Sequence, residues 1–253
     1  MADNISLSDD KLFLSKIDDM VKLSAKRGAV YSMFLNEREC AVAESKLKQL
    51  MTENYCFYGI FESAERRMLC VYKDYFKPEY ADFPLDCITF KFRKESKLTH
   101  RDFLGALMAL GIKRETIGDI VIDEGVVQIA VADSVKELIS GSVRKIGSFG
   151  IKYNEDFSGI LTKSQNFKKI DGTVASMRLD AVAGLALNLS RSKTSEIIKA
   201  VGAEVNFIMK NDCSYILNEG DVFSIRKFGK FKVSEVSGMT KKGRIHISVL
   251  KYC

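Results

Sequence analysis

The stretch SRSKTSEIIKAVGAEVN, residues 190–206, predicts one short helix with its own cap, charge and end. Ser190 is a favourable N-cap because its hydroxyl can accept a hydrogen bond from a first-turn backbone N–H. Arg191 and Lys193 follow at once, at a helix end whose free N–H groups already attract anions. Gly202 can leave the helix with a positive φ. The pattern therefore fits a contact with a nucleic-acid backbone, although an ordinary amphipathic surface helix would show it too.

The flanking sequence predicts two short helices followed by a small sheet. Upstream, Leu179–Leu189 has apolar residues at helical spacing. Downstream, two segments rich in Lys and Arg, Gly220–Phe231 and Thr240–Arg244, have strand-like or turn-like patterns, and the apolar-alternating Ile245–Val249 follows them as a predicted strand. Basic residues would then lie on the turns and edges of this sheet.

The positive charge is concentrated at the C-terminal end of the chain. The 253 residues carry a formal net charge of +6. Residues 173–253 contain thirteen Lys or Arg and seven Asp or Glu, whereas the residues before 173 contain 26 of each sign. The whole basic excess therefore lies in the last third, which indicates a polyanionic partner bound by one module.

Composition is typical of a soluble globular protein, with 46% hydrophobic and 28% charged residues. The six cysteines form no CxxC pair and only two histidines are present, so we expect free thiols and neither a metal nor another cofactor. The opening MADNISLSDDKLFL is acidic and unlike a signal peptide, and no apolar run is long enough to cross a membrane. We expect a cytoplasmic protein that does not bind membranes.

The first part of the chain predicts an N-terminal α/β domain, residues 1–85. Residues 8–24 have helical periodicity with Ser8 as cap, and a second helix is predicted after the N-cap Asn36. Tyr55–Phe61 and Met68–Tyr72 flank a charged turn and predict a β-hairpin. The strand aromatics could stack on bases, but packing against the helices is the stronger expectation.

The middle of the chain, residues 86–158, predicts a second domain after a connection that contains two prolines. Its segments follow the order β-α-β-β-α-β, which is that of a ferredoxin-like or RNA-recognition-type fold. The predicted strands are 88–93, 117–122, 126–131 and 151–153, and the predicted helices are 99–110 and 134–146. The central strands lack the aromatic signature of RNA-recognition domains. Lys113 and Arg114 could touch RNA, or could simply be solvated loop charges.

Residues 159–175 are polar and predict a linker, with one buried strand around Ile160 and Leu161. Such a linker would let the basic module, residues 176–253, reorient on its target. The predicted fold class is therefore α+β, with an N-terminal α/β domain, a ferredoxin-like middle domain and a small C-terminal module of two helices plus a sheet.

Residues 176–253 resemble the RNA-binding domain first seen in small-subunit ribosomal protein four, the alpha-L motif. The matching pieces are RLD at 178–180, SRSK at 190–193, VN at 205–206 and GD at 220–221. IRKFGKF at 225–231, TKKGR at 240–244 and LGALMALGIKRETIGDI at 104–120 are similar to the bacterial YlmH family, also called RqcP. Lys227 and Lys230 depart from that family, which more often has Gly and Arg there.

This resemblance implies a non-catalytic RNA-binding protein that acts on the ribosome. It implies binding to a large ribosomal subunit obstructed by peptidyl-tRNA, contact with ribosomal RNA and tRNA, and support of the factor that extends the stalled chain with a C-terminal alanine tail in ribosome-associated quality control. We expect a monomer. The residues expected to hold RNA phosphates, recognising shape more than sequence, are Arg178, Ser190, Arg191, Ser192, Lys193, Lys199, Arg226, Lys227, Lys230, Lys241, Lys242 and Arg244.

Two other functions compete with this interpretation. The RLD at 178–180 resembles the segment that carries the nucleophilic Asp of pseudouridine synthases, but Met177 replaces the usual Gly and no large catalytic domain follows. Asp180 is then a first-turn helix carboxylate or a partner of Arg178. Alternatively, the first two domains bind a protein away from the ribosome, and the basic tail only adds affinity.

Overall fold

The computed structural model describes residues 2–162, 167–240 and 243–252. The chain divides into two compact units, residues 1–163 and 164–253. Both combine α-helices with antiparallel sheets, so the predicted α+β class is confirmed.

The first part of the N-terminal unit packs two helices on a three-stranded antiparallel sheet. The sheet has the order β1-β3-β2, and it includes the predicted hairpin as β2 and β3. Asn36 and Glu39 form the capping box that starts the second helix. The elements are α1 (Ala2–Arg27), β1 (Ala29–Leu35), α2 (Glu37–Gln49), β2 (Tyr55–Tyr58) and β3 (Arg67–Tyr72).

Two features of this part differ from the sequence prediction. Helix α1 begins at Ala2, so Ser8 lies within the helix and does not cap it. Strand β1 was not predicted, because a bulge between Tyr31 and Phe34 interrupts its pairing with β3 and blurs the two-residue alternation on which strand prediction depends.

The second part of this unit contains a five-stranded antiparallel sheet of order β5-β6-β4-β8-β7. The predicted order of helices and strands is present, but the second helix ends at Ser142, and residues 145–146 form a short added strand. Thr99 and Asp102 cap the first helix as predicted. The elements are β4 (Leu85–Phe92), α3 (His100–Ala109), β5 (Ile117–Asp123), β6 (Val126–Ala132), α4 (Asp133–Ser142), β7 (Lys145–Ile146) and β8 (Phe149–Tyr153).

These two sheets share one hydrophobic core, so the predicted domain boundary at residues 85 and 86 does not separate two compact units. Phe34 and Met68 of the first sheet pack with Val121 and Ala130 of the second. The other faces of the sheets pack against α1 and α2 and against α3 and α4. Burial on both faces explains why β3 and β6 are almost continuously apolar.

The segment after β8 is attached to the five-stranded sheet without adding a strand at Ile160 and Leu161, contrary to the sequence prediction. The buried Gln128 of β6 donates from Nε2 to the carbonyl oxygen of Gly159 at 2.9 Å, and its Oε1 accepts from the backbone N–H of Leu161 at 2.6 Å. A buried amide needs such partners, because its desolvation would otherwise be costly.

The C-terminal unit is a six-stranded antiparallel sheet of order β11-β10-β12-β13-β14-β9, with two helices packed on one face. Leu179, Val182 and Ile198 of the helices meet Phe223 and Phe231 of the sheet in its core. The elements are β9 (Phe167–Val174), α5 (Leu179–Leu187), α6 (Arg191–Val201), β10 (Ala203–Val205), β11 (Ile208–Lys210), β12 (Val222–Ile225), β13 (Gly229–Met239) and β14 (Ile245–Tyr252).

Part of the predicted linker, residues 159–175, is therefore a strand. Phe167–Val174 pairs along its length with β14, from Phe167 opposite Tyr252 to Val174 opposite Ile245. This edge strand has mostly exposed or half-buried side chains, so FKKIDGTV lacks the apolar pattern that predicts strands. Pairing with β14 along its whole length places β9 in the sheet.

Candidate nucleic-acid interface

The starts of helices α5 and α6 meet at one buried carboxylate. The side chain of Asp180 is only 4% exposed, and Arg178 donates to it from Nε at 3.2 Å and from Nη2 at 3.0 Å. Arg191 donates from Nε to Oδ2 of Asp180 at 3.1 Å. The arginine side chains are 33% and 55% exposed, respectively. Asp180 thus holds two predicted RNA-binding arginines together at the surface. We call these three residues the aspartate–arginine cluster.

The electrostatics of this cluster favour the charged states of Asp180 and Arg178. Burial by itself raises the pKa of Asp180, but the hydrogen bonds and charges of Arg178 and Arg191 outweigh it, so the net pKa of Asp180 is lowered. The hydrogen bond to Asp180 raises the pKa of Arg178. Asp180 is thus the partner of Arg178, as one of the two sequence interpretations proposed.

The N-terminus of α5 is less available to anions than the sequence suggested. The backbone N–H of Leu179 donates to the carbonyl oxygen of Tyr215 at 2.8 Å, and that of Asp180 donates to Cys213 at 3.2 Å. Because these N–H groups already have protein acceptors, phosphate binding at α5 would depend on the Arg178 side chain.

Helix α6 begins with the predicted cap. The hydroxyl of Ser190 accepts from the backbone N–H of Lys193 at 3.4 Å, which is long for such a bond, and lies 3.2 Å from the hydroxyl of Ser192. Lys193 and Lys199 have exposed side chains, so both ammonium groups can reach a ligand. The helix ends at Gly202, which has the predicted positive φ of 74°.

The VN and GD pairs of the sequence come together in space. Asn206, which has φ 48°, donates from Nδ2 to Oδ1 of Asp221 at 2.8 Å, and its Oδ1 accepts from the backbone N–H of Val222 at 3.0 Å. These bonds join the turn between β10 and β11 to the start of β12. This motif therefore acts as a brace for the sheet.

Lys230 lies among aromatic rings on the sheet. Its Nζ is 5.3 Å from the ring centre of Phe207 and 4.9 Å from that of Tyr252. These rings orient the ammonium group. Arg226 and Lys227, in the turn between β12 and β13, are exposed instead.

Arg244 shares an open groove of about 390 Å³ with Arg191. The guanidinium of Arg244 donates to Oγ1 of Thr173 at 3.0 Å and to its carbonyl oxygen at 2.7 Å. The fold thus brings two predicted cations to the same groove. The predicted site residues Lys241 and Lys242 lie outside the described residues.

Several residues that shape this surface were not found from the sequence. Thr173 anchors Arg244 but lies in the segment predicted to be a linker, and Phe207 and Tyr252 carry no motif of their own. The adjacent Lys168 and Lys169 at the start of β9 are exposed cations. Their charge is a signal in the sequence that could have assigned this segment to the basic surface.

The described residues also bear on metal binding and membrane insertion. No group of three or more His, Cys, Asp or Glu side chains is placed to hold a metal ion there. Within those same ranges, every helix is too short or too polar to span a bilayer.

Three matches to known proteins bear on the family of this chain. A family model described as "Putative RNA-binding domain in YlmH" matches residues 78–158. "Ribosome-associated protein quality control protein P2" of Bacillus subtilis (strain 168) is 32% identical over 217 residues, which cover 85% of this chain and 84% of that protein. A solved structure described as "Cell division protein ylmH from Streptococcus pneumoniae" covers 58% of this chain and 91% of its own, with a TM-score of 0.50 and 24% identity, and shows likeness of fold.

The extent of these matches shows to which family this chain belongs. The identity of 32% runs along most of both chains, and the matched model covers the five-stranded sheet and its helices. This chain therefore belongs to the YlmH family, as its sequence motifs had indicated.

Proposed function

We propose that the C-terminal unit binds the phosphate backbone of a structured RNA. The observation that carries this proposal is the aspartate–arginine cluster, in which one buried carboxylate holds Arg178 and Arg191 side by side at the surface. Arg244 lines the same groove as Arg191, so guanidinium groups from α6 and from the start of β14 can converge on neighbouring phosphates.

The remaining predicted residues would extend this surface. Lys193, Lys199, Arg226 and Lys227 are exposed cations, and Lys230 is held by aromatic rings. Lys241 and Lys242 belong to the same proposal by their sequence. Because phosphate contacts carry no base information, such a surface would recognise RNA by shape.

We also propose a fold family for the five-stranded sheet and for the C-terminal unit. The strand order β5-β6-β4-β8 supports a ferredoxin-like arrangement for residues 85–153, in which two crossing β-α-β connections place both helices on one face. The helices α5 and α6, with the braced turn at Asn206, support an alpha-L RNA-binding domain for the C-terminal unit.

The proposed cellular role is on the ribosome. The name of the Bacillus subtilis relative supports association with the ribosome in protein quality control. We propose that the protein there binds ribosomal RNA and large subunits obstructed by peptidyl-tRNA. In this proposal the protein is a cytoplasmic monomer that supports the alanine-tailing factor without catalysing a reaction. Asp180 is occupied by two arginines and buried, which weighs against its use as a pseudouridine-synthase nucleophile.

The experiment is co-sedimentation of the full-length protein with large ribosomal subunits, with and without ribonuclease. We expect co-sedimentation to require intact RNA. The affinity for the subunit should fall at least tenfold in the combined variant Lys193→Gln, Arg226→Gln, Lys227→Gln, since each lost phosphate contact weakens binding. Lys22→Gln, an exposed lysine of α1, is the matched control.

Two outcomes would contradict the proposal. Binding that survives ribonuclease unchanged would favour a protein-interaction scaffold. Wild-type affinity in the triple variant would exclude Lys193, Arg226 and Lys227 from the interface, and so contradict the proposed extent of the surface.

A further inference from the structure

A second cluster of cations lies in the N-terminal unit and includes none of the residues assigned above. Arg66 lies immediately before β3, and Arg114 begins the 3-10 turn that leads into β5. Their guanidinium groups share one acceptor, because Nε of Arg66 and Nη1 of Arg114 lie 2.9 Å and 2.5 Å from the carbonyl oxygen of Ile117. The fold therefore holds two positive charges next to each other.

Neutral acceptors orient these arginines. Nη2 of Arg66 also donates to the carbonyl oxygens of Phe34 at 3.1 Å and of Arg114 at 3.3 Å. Arg114 also donates to the carbonyl oxygen of Gly118 at 3.4 Å. Backbone carbonyl oxygens fix the position of a guanidinium group without cancelling its charge, so both groups stay positive in a defined orientation.

Burial makes this arrangement costly for the protein alone. Burial lowers the pKa of Arg66, and burial together with the charge of Arg66 lowers the pKa of Arg114 to about 10. The carboxylates of Glu39 and Asp119 act in the opposite direction on Arg66, and Asp119 does so on Arg114. Both arginines remain charged at neutral pH, and a bound anion would reduce the cost of keeping them half-buried together.

The arginines face an open cavity of about 520 Å³, which we call the paired-arginine cavity. Its lining adds a third cation, the exposed Lys113. Of its two carboxylates, Glu39 accepts from the backbone N–H of Asn36 at 2.7 Å and so belongs to the cap of α2, and Glu115 is exposed. The lining is Phe34, Asn36, Glu39, Arg66, Lys113, Arg114 and Glu115.

We propose that the paired-arginine cavity binds a single phosphate group, either from the RNA backbone or from a small phosphate ester. Two guanidinium groups can each donate to phosphate oxygens, and Lys113 adds a mobile ammonium at the rim. The site combines Arg114, within the matched segment 78–158, with Arg66, which lies outside it. It is independent of the proposed C-terminal interface.

The first test compares the full-length protein in sodium phosphate and in sodium chloride at equal ionic strength. We expect phosphate to raise the Tm of the wild type, because an anion that binds only the folded state stabilises it. Lys113→Gln and Arg114→Gln should lose at least half of this shift. Lys145→Gln should keep it, since Lys145 is exposed on β7, at the opposite edge of the sheet from β5.

Lys113→Gln keeps the test decisive even where Arg114→Gln does not fold. Lys113 is exposed, and the carbonyl contacts that hold the two arginines at Ile117 do not involve its side chain. Equal Tm in both salts for the wild type, or a full phosphate shift in Lys113→Gln, would overturn the proposal. The second result would place any phosphate binding elsewhere.

A second measurement identifies the source of the phosphate. Binding of a structured RNA and of ribose 5-phosphate is compared for the wild type and Lys113→Gln. Loss of affinity for both supports an RNA phosphate, and loss for ribose 5-phosphate alone supports a small ester. Lys193→Gln serves as a cross-control: it should weaken RNA binding and leave the phosphate-dependent Tm shift unchanged, so the two proposals fail separately.

Discussion

Nε of Arg191 lies 3.1 Å from the buried carboxylate of Asp180, and this bond joins the start of α6 to the start of α5. The same carboxylate binds Arg178, so one acidic side chain positions two cations. Buried carboxylates are stable only when charged or polar groups satisfy them, and here the satisfying groups extend to the surface. The contact between the two helix starts therefore also fixes the positions of the surface guanidinium groups of Arg178 and Arg191.

Replacement of this carboxylate tests the coupling. Asp180→Asn should lower the free energy of unfolding by about 1–3 kcal/mol, because the amide keeps only one acceptor oxygen and turns an NH2 donor towards a guanidinium donor, which leaves buried polar atoms poorly satisfied. It should also weaken RNA binding, since Arg178 and Arg191 lose their fixed positions. Urea denaturation and fluorescence anisotropy measure the two effects.

The matched control for that change is Glu196→Gln, an exposed carboxylate on α6. It should leave stability within about 0.5 kcal/mol of the wild type. Equal stability of Asp180→Asn and the wild type would contradict a holding role for the carboxylate.

Stability should depend on the ionisation of Asp180. Its folded-state pKa is lowered from the ordinary value of 3.8, so the unfolded state binds the proton more tightly. The stabilisation is therefore complete above the unfolded pKa and is lost as the pH falls through the folded pKa. We expect the difference in unfolding free energy between the wild type and Asp180→Asn to shrink below about pH 4. A difference that stays constant from pH 6 to pH 2 would contradict this.

Salt dependence of RNA binding tests the exposed cations. Lys193→Gln and Arg226→Gln should each reduce the slope of log affinity against log salt by about one, as expected for one lost phosphate contact. Arg191→Glu is a poor choice for this measurement, because it would place a second carboxylate beside Asp180 and disturb the fold. An unchanged slope in both variants would exclude these side chains from the interface.

The exit from α6 requires glycine at 202. Gly202 has φ 74° and ψ 169°, a conformation that side chains strongly disfavour, and an added Cβ would meet Sδ of Met209 at 2.4 Å. Gly202→Ala should cost about 1–3 kcal/mol in thermal or urea unfolding. Gly238→Ala, where the added Cβ meets open space, should cost less than about 1 kcal/mol.

Two substitutions at Asn206 separate the effect of its hydrogen bonds from that of its backbone strain. Asn206→Ala should destabilise the protein by about 1–3 kcal/mol, because it removes the bonds to Asp221 and Val222 and strains a residue with φ 48°. Asn206→Gly relieves the strain and removes the same bonds, so it should be less destabilising. Equal losses in unfolding free energy would show that the hydrogen bonds alone account for the effect.

Local features of this fold could be predicted because they depend on neighbouring residues. The capping boxes after Asn36 and Thr99, the cap at Ser190 and the exit at Gly202 all formed as expected. Strands β1 and β9 were not predicted, and the reasons differ. A bulge disturbs the alternation of β1, and β9 is an edge strand whose side chains are mostly solvated.

The sequence alone accounts for the caps at Asn36, Thr99 and Ser190, the order of most helices and strands, and the concentration of positive charge after residue 173, because these are properties of composition and short-range spacing. Tertiary structure decides which cations share a site. Asp180 reaches Arg191 across a helix junction, Arg244 reaches Thr173 across a strand pair, and Arg66 meets Arg114 at Ile117. Such contacts depend on the packing of distant segments, which no local pattern specifies.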